Sequence, residues 1–115
     1  MDIETLYPLV TEAIRKAEVY EDIGAPGTAD AHRDVSLLEE RVAKLLPASN
    51  PEGAIARRGA VRAAVAAQDF DRATRLAKVY CAETDASDSL QRELREIVSS
   101  FAEGAGSHDF DGTRR

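Results

Sequence analysis

The sequence predicts an all-α fold: about five antiparallel helices in a helical-hairpin bundle with a disordered C-terminal tail. Three observations predict it. Apolar residues return every three or four positions in five successive segments, separated by short Gly, Pro, Asn and Asp stretches. Ala occurs 20 times in 115 residues and Trp not at all, a composition that lets helix backbones approach closely at no side-chain entropy cost. No stretch of useful length alternates with the period of two that a half-buried strand requires. The length supports one modest core, so a single helical domain is expected over 1–104 and a flexible tail over 105–115.

The first helix is expected from Asp2 to Asp22, on the stripe Ile3, Leu6, Val10, Ala13, Ala17 and Tyr20. Pro8 in its second turn removes one hydrogen bond, which predicts a kink or a delayed start. Gly24, Pro26 and Gly27 end it, and Thr28 or Asp30 can cap the second helix, 28–46, whose stripe is Val35, Leu38, Val42 and Leu45 and whose stop is Pro47. The run "ASNPEG" supplies Asn50 as N-cap, Pro51 at the first helical position and Glu52 in the first turn, opening a third helix over 51–67. This helix is apolar on two sides, Ala56, Ala60, Ala63 and Ala67 along one and Ala54, Val61 and Val65 along the other, so it belongs between neighbours. Asp69 can cap the fourth, 69–84, with Phe70, Ala73, Leu76, Ala77, Tyr80 and Cys81 facing inward and Arg72, Arg75 and Lys78 outward. The fifth, 87–103, carries Leu90, Leu94, Ile97, Val98 and Phe101 and stops at Gly104. Beyond it, "GAGSHDFDGTRR" has turn-former composition and no period, the mark of a mobile tail.

A formal net charge of −6 argues against non-specific nucleic-acid binding as the main activity. The lone Cys81 excludes an internal disulfide and a cysteine-based zinc site, which suits a reducing compartment. Acids follow Met1 where a secretory signal would have a basic region, and no apolar run approaches the length of a membrane span. A soluble cytoplasmic protein is expected, with no membrane partner.

The segment "ARRGAVRAAVAAQDFDRATRLAKVYCAE" resembles one tetratricopeptide-type unit, the match covering residues 53–86. The turn is Gln68-Asp69-Phe70-Asp71, with Gln68 where that family has Gly, Phe70 as the aromatic, and Ala73 as the small residue that lets the paired helices approach. The resemblance implies peptide or protein binding in a helical groove rather than catalysis. In size, acidity, Ala content and want of a catalytic motif the chain is also similar to small helical accessory proteins of bacterial conflict systems, of the CATRA-associated small protein type.

The residue types that carry chemistry do not assemble by spacing. His32 lies two positions from Asp30 and from Asp34, so the three point to different faces and His32 is expected in solvent. His108 sits in the tail with Asp109 and Asp111. Cys81 falls on a buried face with no activating group nearby in sequence and is expected to act as a small hydrophobe. Glu39 and Glu40 are adjacent and diverge. No catalytic residue, metal site or cofactor is expected.

Charge is distributed unevenly, residues 1–24 holding six acids and two bases and residues 47–84 four acids and six bases. Arg58 with Arg62, and Arg72 with Arg75, are each about one turn apart and, with Lys78, predict a basic strip on the third and fourth helices. The leading expectation is a non-catalytic adaptor that binds another protein through this strip, as an accessory component of a bacterial multi-component system. The alternative is a helical small subunit of a ribonucleoprotein complex whose strip holds phosphates. Phe110, flanked by acids in the tail, has the form of a short docking peptide.

Overall fold

A computed structural model describes the backbone of residues 2–111 and the side chains of residues 2–100. Five helices follow one another: α1 (Ile3–Ile23), α2 (Thr28–Leu45), α3 (Pro51–Ala66), α4 (Phe70–Cys81) and α5 (Asp88–Asp111). Among the described residues there is no strand, as the missing alternation predicts. The α5 backbone continues past Gly104, the expected stop, to Asp111, and the side chains of the expected tail over 105–115, Phe110 among them, lie outside those described.

Each helix packs on the next, and α3 also packs on α5. The third helix is therefore the central element, as its two apolar sides predict. Ala56, Ala60, Val61 and Ala64 of α3 are fully or almost fully buried, and join Leu6, Val42, Ala73, Leu76, Leu90 and Leu94 in the main core. Burying each such leucine stabilises the fold by about 2 kcal/mol. A smaller cluster of Ala17, Ala31, Val35 and Ala63, backed by Tyr20, closes the other end of the α1–α2 hairpin.

The caps decide where the helices begin and end. Asp2 caps α1 by accepting from the Thr5 N–H at 2.9 Å, and that bond holds its carboxyl below the ordinary aspartate range. The helix starts at Ile3 and runs through Pro8, so the start is not delayed. Its end is a Schellman turn at left-handed Gly24, with the Ala25 N–H reaching the Tyr20 carbonyl at 2.9 Å. Neither Thr28 nor Asp30 caps α2. Gly27 occupies that position without a side-chain bond, while the Thr28 hydroxyl donates back to the Ala25 carbonyl at 2.6 Å and fixes the turn. Asn50 caps α3 as expected, accepting from the Glu52 N–H at 2.8 Å. Gly53, in that first turn, lies so close to the Pro47 carbonyl that a Cβ would collide with backbone.

The α3–α4 turn is a second Schellman motif. The Gln68 N–H reaches Val65 and the Asp69 N–H reaches Ala64, with Gln68 itself left-handed at φ 61°. Asp69 then caps α4 through the Arg72 N–H. Phe70, expected to face inward, is 40% exposed, whereas Ala73 is wholly buried and sets the close approach. Gln68 is the described non-glycine residue with positive φ, a conformation that strains any Cβ. Gln68→Gly is expected to raise stability by about 0.5–1 kcal/mol, read as a higher urea midpoint with unchanged slope; a lower midpoint would show that the Gln68 side chain contributes more than its backbone costs.

Candidate functional site

Arginines dominate the polar chemistry of the bundle, and their surroundings divide them into two kinds. Arg57 of α3 is 3% exposed. It points from the α3 seam toward the ends of α2 and α4, where its Nε and Nη2 donate to the two carboxylate oxygens of Glu83 at 2.7 and 3.0 Å. Its remaining donors reach the carbonyls of Leu46, Gly53 and Ala43 at 2.9, 2.9 and 3.1 Å, and its guanidinium lies 5.3 Å from the Tyr80 ring centroid. One side chain thus ties the last turn of α2, the first turn of α3 and the segment just past α4. Such a planar, five-donor fork is peculiar to arginine.

Arg72 of α4 reaches across to α2. It donates to Glu40 at 2.7 Å and to the Ser36 hydroxyl at 2.9 Å, and that hydroxyl donates in turn to the Ala60 carbonyl at 2.7 Å. The Tyr80 hydroxyl is buried beside these pairs without a hydrogen-bond partner among the described residues. Burial, reinforced by Glu40, pushes its pKa up to about 12.

These contacts dissolve the basic strip as one surface. Arg72 is consumed in the α2–α4 contact, and Arg58 turns toward α5, where it pairs with Glu93 at 3.0 Å. Arg62 is exposed in the α3/α5 groove among Glu93 and Glu96. Arg75 and Lys78 stand exposed on the outer side of α4, with no ion pair among the described residues. Spacing placed Arg72 with Arg75 because three positions is nearly one turn; the remaining offset of about 60° is enough to send one inward and the other out.

A different surface takes the strip's place. The outer edge of α2 presents Leu37, Arg41, Lys44 and Leu45, all exposed. On one side of it lies the α1/α2 groove, with Leu9, Ala13, Leu37 and Leu38 in its lining. On the other lies the α2/α4 groove, lined by Leu76, Arg75 and Val79. Lys44 and Glu40 line both, and Arg75 and Val79 are shared with the outer face of α4. The three are therefore continuous. Glu40 is neutralised by Arg72, and Glu83 by Arg57, so this face carries surplus cations on a chain of net charge −6.

The remaining candidates lie in contacts between helices. His32 is not fully in solvent: its side chain is 15% exposed and its Nε2 lies 2.7 Å from Glu21, linking α2 to α1. Cys81 is half-buried, with its thiol 3.7 Å from the Gln91 carbonyl. Among the described residues no group of His, Cys, Asp and Glu could hold a metal ion, and no helix is long and apolar enough to cross a membrane. Spacing did not single out Arg57, Ser36 or the α2 edge, and it placed Tyr80 inward without disclosing that its hydroxyl has no hydrogen-bond partner among the described residues. For Arg57 the signal was its place on the buried seam, one residue after Ala56 and three before Ala60; for the α2 edge it was leucines at 37 and 45 on either side of Arg41 and Lys44.

Compared with family models, curated proteins and solved structures, the chain matches none.

Proposed function

We propose that the protein is a non-catalytic adaptor that binds another protein through the continuous face formed by α1, α2 and the outer side of α4. The observation that carries this reading is the sorting of charge: the bundle neutralises its buried arginines internally, while Arg41, Lys44, Arg75 and Lys78 stand exposed beside Leu37, Leu45 and Val79. Exposed apolar side chains gathered along one edge and bordered by like charge mark an interaction surface.

The resemblance of the α3–α4 hairpin to a tetratricopeptide-type unit adds support. Its turn adopts the left-handed backbone that suits the glycine of that family, at Gln68, and its Ala73 lets the helices close. On the resemblance in size, acidity and texture, the partner belongs to a larger cytoplasmic multi-component system of the bacterial conflict type.

The test is capture from native cells with tagged wild type, the double reversal Lys44→Glu/Arg75→Glu, and Arg92→Glu on α5 as an exposed control, each checked for helicity. A partner identified with wild type and Arg92→Glu should fall at least tenfold with the double variant. Equal capture by all three would remove the proposed face. RNA retained by wild type at low salt and released steeply as salt rises would instead support the ribonucleoprotein alternative.

A further inference from the structure

We infer that the α1/α2 groove receives an amphipathic helix of the partner, about three turns long, with an apolar stripe flanked by acidic residues. This inference rests on the adaptor reading and adds to it the chemistry of the bound segment. The groove has a volume of about 570 Å³. Leu9 and Leu37, on opposite walls, are 41% and 45% exposed, and Ala13 between Leu9 and Lys16 keeps the α1 wall low. The furrow between two packed helices is the shape that takes the ridge of a third. The α2 wall runs from Asp34 to Lys44, about 15 Å at the helical rise, which sets the length of the occupant at about ten or eleven residues.

Charge sets its flanks. Of the acids on the walls, Glu12 is held by Arg15 at 2.6 Å and Glu40 by Arg72 at 2.7 Å, leaving Asp34. The cations are less engaged: Arg41 makes no ion pair among the described residues, Lys44 lies 3.8 Å from the already neutralised Glu40, and Lys16 stands over the Tyr20 ring at 5.4 Å. Acidic side chains beside the partner's apolar stripe would meet Arg41 with Lys44 at one end of the groove, while at the end near the α1–α2 turn Lys16 offsets Asp34. A basic helix would meet the same cations and be repelled.

The test uses two labelled, helix-stabilised eleven-residue peptides with Leu at positions 1, 4, 8 and 11, one carrying Glu at the flanking positions and the other Lys. Fluorescence anisotropy against the full chain should show binding of the Glu peptide, at least tenfold weaker binding of the Lys peptide, and at least tenfold loss for Leu37→Glu and for Arg41→Glu/Lys44→Glu. The second variant changes only exposed residues, so folding does not confound it. Equal affinity for both peptides, or none for either, overturns the inference. So does self-association of wild type abolished by Leu37→Glu, which gives the groove to a second copy, or binding to anionic vesicles with the same variant sensitivity, which gives it to a lipid surface. If the peptides fail while capture in cells still depends on Lys44 and Arg75, the helix class falls and the adaptor reading stands.

Discussion

Arg57→Ala is expected to destabilise the fold by about 3–5 kcal/mol and to lower the melting midpoint by about 10–20 °C. The substitution does more than remove a salt bridge. It leaves the Glu83 carboxylate, only partly open to water, facing the space vacated by its partner. It strips a donor from each of the Leu46, Gly53 and Ala43 carbonyls and withdraws the guanidinium from the Tyr80 ring. Each abandoned acceptor carries a desolvation cost, and the lost stem leaves a void at the α2–α3–α4 junction. Arg57→Lys should recover little, because an ammonium cannot reproduce a two-pronged carboxylate contact and three carbonyl bonds together. Arg58→Ala, which breaks a more exposed pair with Glu93, should cost under about 1 kcal/mol. Urea denaturation of the three variants checks the order; near-equal losses for Arg57→Ala and Arg58→Ala would sink the assignment of Arg57 as the junction.

The contrast between these neighbouring arginines shows what the sequence could and could not disclose. The apolar period revealed the helices, and the capping chemistry of Asn50 and Asp69 revealed two of the starts, because both signals are local. The central position of α3 was also legible, since a helix apolar on two sides has no other stable place. The destination of a long charged side chain is decided elsewhere. Arg57 meets a glutamate 26 positions away and Arg72 one 32 positions away, separations at which helix periodicity says nothing. A strip drawn from spacing alone therefore joined Arg58, Arg62, Arg72, Arg75 and Lys78 across three different surroundings. The proposed face had the opposite difficulty: Leu45 belongs to the apolar stripe of α2 and Leu37 lies beside it, and a stripe cannot by itself say which of its leucines stay exposed. Only the placement of α1 and α4 on either side leaves that edge open.

Glu39→Gln is expected to stabilise the protein at pH 8 and to leave it nearly unchanged at pH 4.5. The Glu39 carboxyl lies against Gly59 of α3, where a Cβ would strike its Oε2 and carbon atoms; the missing side chain at 59 makes the notch that admits it. Desolvation there raises its pKa from 4.5 to about 7. From α1 the neighbouring titratable group is Tyr7, whose phenol donates to Glu52 of α3 at 2.6 Å and is itself pushed upward by that bond and by both glutamates. Two carboxyls and a phenol thus share the opening between α1 and α3. Since the folded chain holds the Glu39 proton more tightly than the unfolded chain, the carboxyl adds no cost below about pH 4.5, and the penalty grows as pH rises through about 7. The full displacement corresponds to about 3 kcal/mol, of which solvent screening of this half-buried group leaves about 1–2 kcal/mol. Urea midpoints of wild type and Glu39→Gln should therefore converge at pH 4.5 and separate by pH 8. Parallel curves across that range would mean that water already solvates the carboxylate in the notch. Gly59→Ala provides the complementary measurement, because the added methyl group would drive the carboxyl out into solvent and so weaken the same pH dependence while leaving residue 39 a glutamate.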